Sequence, residues 1–163
     1  MKLMCWLAVL KRHNKCFLDL QMTISEKEND IIERFGMYDD WMGKYEHLIE
    51  LGKSLPLIDP KFKTEDYLVR GCQSQVWLNA ELKDGKVIFK ADSDAIITKG
   101  LVALLIGVLS NETPDAIIES KLDFIDTIGL KEHLSSTRSN GLVSMIKLMK
   151  TYALGFKVKE KKS

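Results

Sequence analysis

The chain has 163 residues and a formal net charge of +1, with 45% hydrophobic and 29% charged residues. This length suits one domain, and the composition is ordinary for a soluble globular protein. The charge balance excludes the basic excess of nucleic-acid-binding proteins, and no apolar run is long enough to span a bilayer, so we expect neither nucleic acid nor a membrane as a partner.

The first 21 residues differ from the rest of the chain. Leu3 to Leu10 form an unbroken apolar run, and charged residues follow it. A secretory signal carries its positive charge before the apolar run and a small-residue cleavage site after it, whereas most of the charge here comes afterwards. Met22 opens a segment typical of a protein start. We therefore predict an upstream extension or disordered tail at 1–21, a domain at 22–156 and a basic tail at 157–163.

Two helices are predicted at the start of this domain. Ser25 and Glu28 match the S-x-x-E pattern of a capping box, which indicates that a helix begins there. An apolar stripe starting at Trp41 predicts a second helix, which Gly52 is expected to end. The proline-punctuated segment 54–63 is typical of a loop.

Strands are predicted in the middle of the chain. Val76 to Leu82 alternate between apolar and polar residues, and Val87 to Ala91 alternate again. Asp84-Gly85 lies between these segments and is a strong hairpin signal. The residues EDYLV, at 65–69, are interpreted as a third antiparallel strand.

An apolar helix is predicted to follow the hairpin. Residues 95–110 are apolar on nearly every side, which indicates a helix buried as the spine of the core. Ser93 or Asp94 is the expected N-cap of this helix. Asp92 and Asp94 resemble a pair of catalytic carboxylates, but acidic residues are favoured at helix starts, so capping is the preferred interpretation.

Further helices complete the predicted fold. Thr113-Pro114 opens a short helix, and residues 142–152 have apolar positions at helical spacing. Arg138 lies in the predicted loop before that last helix. Because the strands form one block and the helices form others, we predict an α+β fold with a small three-stranded antiparallel sheet packed against helices.

Cysteine usage limits the available chemistry. Cys5, Cys16 and Cys72 are odd in number and scattered, which argues against disulfides and favours a reducing, cytosolic compartment. A structural zinc ion or an iron–sulfur cluster normally needs three or four thiolate or imidazole ligands, and His47 and His133 lie far from Cys72 in sequence. We therefore predict no metal site. One thiol suffices for a nucleophile or a covalent carrier.

The surroundings of Cys72 are typical of a loop tip. Gly71 permits a tight turn or a close approach of another chain segment. A reactive thiolate needs a lowered pKa, and Arg70 is a candidate cation, with Arg138 as a second one if the fold brings it near. The alternative is a buried, inert cysteine. The polar neighbours that follow in sequence are Gln73, Ser74 and Gln75.

Several separated motifs resemble one family. The segments GCQSQVWL, ADSDAIITKGL and RSNGL, in this order, resemble the SufE family of sulfur-acceptor proteins, including its CsdE branch. The likeness runs from Ile31 to Ala153 and includes YEHLIELGKSLPLID. It implies an α+β fold similar to that of the IscU cluster scaffold. Many relatives have proline where this chain has Ser136, which leaves the loop before Arg138 less rigid.

The resemblance also implies a function. Cys72 would accept sulfur as a persulfide from a cysteine desulfurase of the SufS type, stimulate that enzyme, and pass the sulfur to a SufB-containing (SufBCD) scaffold. The protein would be a cytoplasmic carrier and activator rather than a stand-alone enzyme, with pyridoxal phosphate on the desulfurase and no cofactor of its own. Arg138 would shape the cysteine pocket or contact a partner.

Other interpretations stay open. One is a cluster scaffold like IscU, and another is a desulfurase-binding module in which the cysteine is incidental. The sequence does not separate Suf-type from Csd-type partners, and a homodimer is compatible with it.

Overall fold

The computed structural model describes residues 22–162, which form an antiparallel hairpin surrounded by helices. The predicted extension at 1–21, with Cys5 and Cys16, lies outside the described residues. Among helices of the described part, none is both long and apolar enough to cross a membrane. In chain order the elements are α1 (Ile24–Gly36), α2 (Trp41–Lys53), two 3₁₀ turns (Pro60–Phe62 and Glu65–Tyr67), β1 (Val76–Lys83), β2 (Lys86–Ser93), α3 (Ile96–Leu109), α4 (Pro114–Glu119), α5 (Phe124–Thr127), α6 (Leu130–His133) and α7 (Ser136–Glu160).

The predicted α+β class is confirmed, with a sheet of two strands within the described residues rather than three. Strands β1 and β2 pair in an antiparallel register that runs from Val76 opposite Ser93 to Lys83 opposite Lys86. Asp84 and Gly85 join them with φ angles of 52° and 72°, the left-handed conformation that a tight hairpin turn requires. Strand β2 packs on α3 and β1 contacts α7, so the hairpin is covered by helices.

The prediction of a third strand at 65–69 is wrong for a local reason. Glu65–Tyr67 close into a 3₁₀ turn instead of extending. Leu68 makes a single antiparallel bridge to Trp77, and the chain then turns away at Gly71, where φ is 90°. The extended segment is therefore too short to form a ladder.

Helix α1 begins two residues earlier than the sequence pattern indicates. The capping box is formed by Thr23 and Glu26, not by Ser25 and Glu28. The Glu26 carboxylate accepts a hydrogen bond from the Thr23 backbone N–H at 2.8 Å, and the Thr23 hydroxyl accepts one from the Glu26 N–H at 3.3 Å. Both residue pairs have the required spacing, so the pattern alone does not choose between them.

The acidic residues before α3 do not cap it. Helix α3 starts without a side-chain cap from Ser93 or Asp94. Asp92 is only 6% exposed, and its carboxylate pairs with Lys63 at 2.6 Å and with Lys99 at 3.0 Å. Burial opposes the charge on Asp92, yet the hydrogen bonds from both lysines hold its pKa below the usual value. Asp92 thus joins three chain segments through ion pairs.

Helix α3 is the buried spine of the core, as predicted, and α2 crosses it in direct backbone contact. Gly52 lies inside the last turn of α2 and does not end it, since the helix continues to Lys53. A Cβ atom on Gly52 would lie 2.9 Å from the Gly100 nitrogen, and one on Gly100 would lie 2.3 Å from the Leu48 carbonyl oxygen. Only glycine at both positions allows the two helices to approach so closely.

Helix α7 is longer at both ends than the apolar spacing predicts. It starts at Ser136, so Arg138 lies in its first turn rather than in a loop. The Ser135 hydroxyl caps it by accepting a hydrogen bond from the Arg138 N–H at 3.4 Å. At the other end the helix runs into the predicted basic tail as far as Glu160.

We expect Gly100→Ala to lower the free energy of unfolding by about 3 kcal/mol, because the added methyl group overpacks the helix crossing. Gly107→Ala in the same helix is the matched control. Its Cβ would have no atom within 4 Å, and alanine should stabilise the helix by up to about 1 kcal/mol. Urea unfolding followed by circular dichroism measures both changes. Equal losses in the two variants would contradict the assigned crossing.

Candidate functional site

The cysteine loop (residues 70–75) is tied at its base on two sides. The Val69 N–H donates to the Val76 carbonyl oxygen at 2.7 Å, which closes the loop against β1. The Gln75 N–H donates to the Asp94 carboxylate at 3.0 Å, and the Asp94 N–H donates back to the Gln75 carbonyl at 3.2 Å. Asp94 therefore fixes the end of the loop to the residues that lead into α3.

Gly71 makes the turn that separates Arg70 from Cys72. Its φ of 90° is left-handed, and a Cβ there would lie 2.7 Å from the Ser144 hydroxyl of α7. Because the chain reverses at this point, the side chains on either side of it diverge. Arg70 lines an open cavity with Asp66 and does not line the one beside Cys72.

Cys72 is half-buried against α7 and is the free cysteine of the described residues. Its thiol donates to the Gly141 carbonyl oxygen at 3.5 Å. A Cβ on Gly141 would lie 3.2 Å from the sulfur, so the helix surface there leaves little spare room. Burial raises the pKa of the Cys72 thiol, because a thiolate loses solvation at this position. The resting thiol is thus kept neutral.

A cavity of about 170 Å³ opens beside this sulfur. It brings together Cys72, Gln73, Ser74 and Arg138 from among the residues that the sequence singled out, whereas Gln75 does not line it. The remaining lining residues were not predicted: Thr98, Leu101, Ser135, Thr137, Gly141 and Met145.

Four of the six missed residues follow helical spacing, two of them on the same face as Arg138. Arg138, Gly141 and Met145 fall at i, i+3 and i+7, so they share one face of α7. Thr98 and Leu101 fall at i and i+3 of α3. This spacing was present in the sequence. Because the last helix was predicted to start after Gly141, the face that Gly141 and Met145 share with Arg138 was not recognised.

Two helix starts converge on the cavity. Thr98 is the third residue of α3, and Thr137 and Arg138 are the second and third residues of α7. A helix N-terminus carries partial positive charge, and the exposed Arg138 guanidinium adds a full one, so this end of the cavity favours an anion. Burial of the thiol acts in the opposite direction. For the sulfur at its resting position burial dominates, since the pKa of Cys72 is raised.

The family follows from a comparison with known proteins. The model of the SufE family, described as an Fe-S metabolism associated domain, matches residues 29–153. The chain belongs to the SufE family. Membership gives it a role in sulfur transfer for iron–sulfur metabolism, and SufE proteins are generally associated with cysteine desulfurases.

Curated relatives cover most of the chain. It is 43% identical to an uncharacterised SufE-like protein of Synechocystis over 128 residues, which span 78% of this chain and 80% of that protein. It is 41% identical to SufE-like protein 1, chloroplastic/mitochondrial, of Arabidopsis thaliana, over 82% of this chain but only 36% of the plant protein. The SufE domain is therefore shared with the plant protein, which is much longer.

A solved structure has the same fold. The solution structure of a hypothetical protein from Thermus thermophilus matches with a TM-score of 0.67, covering 79% of this chain and 94% of that one. At 24% identity this similarity supports the fold alone.

Ser136, where the family resemblance predicts a proline, is the first residue of α7. Ser135 before it is extended, with ψ of 155°, which is the conformation that a following proline favours. The backbone therefore keeps the geometry of a helix that starts with proline, although the residue that would make it rigid is absent.

We expect the rate of Cys72 alkylation by iodoacetamide to increase at a higher pH in the folded protein than in urea, because burial raises the pKa of this thiol. Mass spectrometry of the Cys72 peptide measures the rate at each pH. Gly141→Ala should speed the reaction by crowding the sulfur out of its place, whereas Gly155→Ala, with no atom within 4 Å of its Cβ, should not. A folded profile that coincides with the unfolded one would refute the raised pKa.

Proposed function

We propose that Cys72 accepts sulfur from the persulfide of a SufS-type cysteine desulfurase, stimulates that enzyme, and passes the sulfur to a SufB-containing (SufBCD) scaffold. The observation that supports this most directly is the half-buried Cys72 thiol, the one cysteine within residues 22–162, on a short loop beside a cavity that Arg138 also lines. A carrier needs one nucleophile and a place to keep its cargo, and this site supplies both.

The transfer step requires only thiol chemistry. The Cys72 thiolate attacks the outer sulfur of the donor persulfide, a bond forms between the two sulfur atoms, and the bond inside the persulfide breaks. The donor cysteine leaves as a thiolate. Electrons balance without an external oxidant or reductant, and the product is a persulfide on Cys72. The same exchange, run toward an acceptor thiol, unloads it.

The resting geometry suits a protected carrier. A neutral, half-buried thiol reacts slowly with small oxidants and electrophiles, because the thiolate is the nucleophile. The cavity of about 170 Å³ has room for one additional sulfur atom beside Cys72. Contact with the donor would move the cysteine loop outward, restore solvation and permit ionisation.

Arg138 is proposed to stabilise the negative charge on the terminal sulfur of the persulfide once it has formed on Cys72. It lines the cavity from the first turn of α7, where the helix dipole and the guanidinium act in the same direction. The terminal sulfur of a persulfide extends farther from Cys72 than the thiol does. It would therefore reach the part of the cavity that favours an anion.

The remaining parts of the proposal concern partners and compartment. Pyridoxal phosphate would belong to the desulfurase, and the protein would act as co-substrate and activator in a reducing, cytoplasmic setting. We favour this function over an IscU-like scaffold or a passive binding module because the thiol, the cavity and the arginine coincide at one site.

We expect Cys72→Ser to abolish stimulation of the cognate desulfurase while leaving the circular dichroism spectrum unchanged. The wild-type protein, incubated with desulfurase and cysteine, should gain about 32 Da per transferred sulfur on Cys72, and dithiothreitol should remove it. Intact-mass spectrometry and alanine release measure the two effects. Full stimulation by the serine variant would exclude the carrier mechanism.

We expect Arg138→Gln to slow persulfide transfer to Cys72 about tenfold, since a hydrogen bond to a charged group contributes about 1.5 kcal/mol. Arg138→Lys keeps the charge and should restore part of the rate. Single-turnover transfer, quenched and read by mass, separates this effect from binding. An unchanged rate in the glutamine variant would remove Arg138 from the proposal.

A further inference from the structure

A second cavity lies among the first three long helices. It has a volume of about 380 Å³, and residues of α1, α2 and α3 line it. We call it the three-helix groove; its apolar lining consists of Ile31 and Phe35 (α1), Leu51 (α2), and Ala103, Leu104 and Gly107 (α3). None of these residues lines the cysteine cavity, so the groove is a separate site.

The charged side chains that line the three-helix groove are already paired. Lys27 pairs with Glu112 at 2.6 Å, and Arg34 pairs with Asp30 at 2.7 Å. His47 also lines the groove. Burial and the nearby Arg34 guanidinium lower the pKa of His47, so its ring is mostly neutral at pH 7. The groove therefore offers little net charge to a charged ligand and suits an apolar one.

Gly107 leaves open space in the groove. It is an exposed residue of the otherwise mostly buried α3, and a Cβ atom there would have no atom within 4 Å. A cavity of about 150 Å³ takes up one benzene molecule, so a volume of about 380 Å³ has room for about two large apolar side chains. Covering the groove with apolar groups would remove its lining from water, which is favourable.

The described chain begins at this groove. Met22 lines it and lies just before α1, so residues 1–21 join the domain there. Residues 3–10, LMCWLAVL, are all apolar. An apolar run of this length is unfavourable in water unless it is covered. An apolar run and an uncovered apolar groove therefore occur at the same end of the chain.

The residues between the run and Met22 are long enough to bring the two together. The eleven residues 11–21 can span up to about 36 Å. Ala103 and Asn111, which both line the groove, lie only about 12 Å apart along α3. Because the run is attached beside the groove, its effective concentration there is about millimolar, and an affinity of about 1 mM would fill the groove in about half of the molecules.

We propose that residues 3–10 occupy the three-helix groove of their own molecule, with apolar side chains packed against Leu51, Ala103 and Gly107. The position of Met22, the apolar lining and the paired charges of the groove support this assignment. It gives the amino-terminal segment a binding site on the domain, and it does not depend on the sulfur transfer proposed above.

Cys5 lies within the apolar run and permits a direct test in the full-length protein. The Cys16→Ser/Cys72→Ser background keeps Cys5 as its one cysteine, and a second cysteine is then added in the groove by Gly107→Cys. A disulfide needs Cα atoms within about 7 Å of each other. Oxidation with diamide should therefore link Cys5 to the added cysteine within one chain, as measured by peptide mass mapping without reductant.

Two further variants complete the cross-linking test. Ala103→Cys places the thiol one helical turn from Gly107, still in the groove, and covers a run that is shifted along α3. Gly155→Cys is the matched control, because Gly155 is also an exposed helical glycine with no atom within 4 Å of its Cβ, but it lies outside the groove. At least one groove variant should form the link much faster than the control.

Proteolysis gives an independent readout with the native cysteines in place. Chymotrypsin cleaves after Trp6 only when the run is free. Gly107→Asp should raise this cleavage rate about threefold, because cleavage follows the population of the open form and a buried carboxylate disfavours the closed one. Gly155→Asp is the control and should cleave at the wild-type rate. Intact mass measures the loss of residues 1–6, and circular dichroism verifies that both variants fold.

Each outcome bears on the assignment. Faster linkage in a groove variant, together with faster cleavage of Gly107→Asp, would support it. Equal linkage in the groove variants and the Gly155→Cys control would show that the run has no preferred site, and the assignment would be wrong. Links between two chains would identify the occupant as the run of a second copy, which also overturns it. A wild-type cleavage rate in Gly107→Asp would exclude a closed form held by the groove.

Discussion

The contact between α2 and α3 at Gly52 and Gly100 sets the geometry on which the site depends. Helix α3 is buried on most sides, so its position is fixed by what packs against it. Gly100 lies between Thr98 and Leu101, and those two residues form one wall of the cysteine cavity. A helix crossing that contains no reactive group therefore determines how far that wall stands from Cys72.

Two opposing electrostatic effects meet at the sulfur. Burial against Gly141 favours the neutral thiol, whereas Arg138 and the starts of α3 and α7 favour a negative charge a short distance away. The balance depends on where the sulfur lies within the cavity. A small movement of the loop can therefore change the charge state without any change in the surrounding residues, which suits the carrier role proposed for Cys72.

The spacing of apolar residues and the short sequence motifs were sufficient to predict part of this structure. The hairpin follows from strict alternation around Asp84-Gly85, and the buried α3 follows from a continuous apolar run. The motif around Cys72 located the candidate site, and Arg138 lies at the same cavity. These features are encoded locally, which is why a single sequence reveals them.

One error has a local cause, and two arose where tertiary contacts decide. The segment 65–69 has strand-like residues, but its own 3₁₀ turn and then Gly71 turn the chain before a ladder can form. Asp94 is a residue type that favours helix N-caps, yet its carboxylate accepts a hydrogen bond from Gln75 in the cysteine loop. Gly141 is typical of a helix boundary in sequence, but it lies inside α7. Its lack of a side chain leaves space for Cys72. In the last two cases, the two residues in contact lie 19 and 69 positions apart in sequence.

The double attachment of the cysteine loop limits how far its sulfur can travel. With Val69 bonded to Val76, and Gln75 bonded to Asp94, only a few residues are free to move. Three extended residues span about 10 Å, so the loop is a short tether and not a swinging arm. A donor cysteine at the bottom of a deep, narrow active site would be out of reach. Under the proposed function, a desulfurase that charges Cys72 must therefore present its persulfide close to its own surface or on a projecting loop.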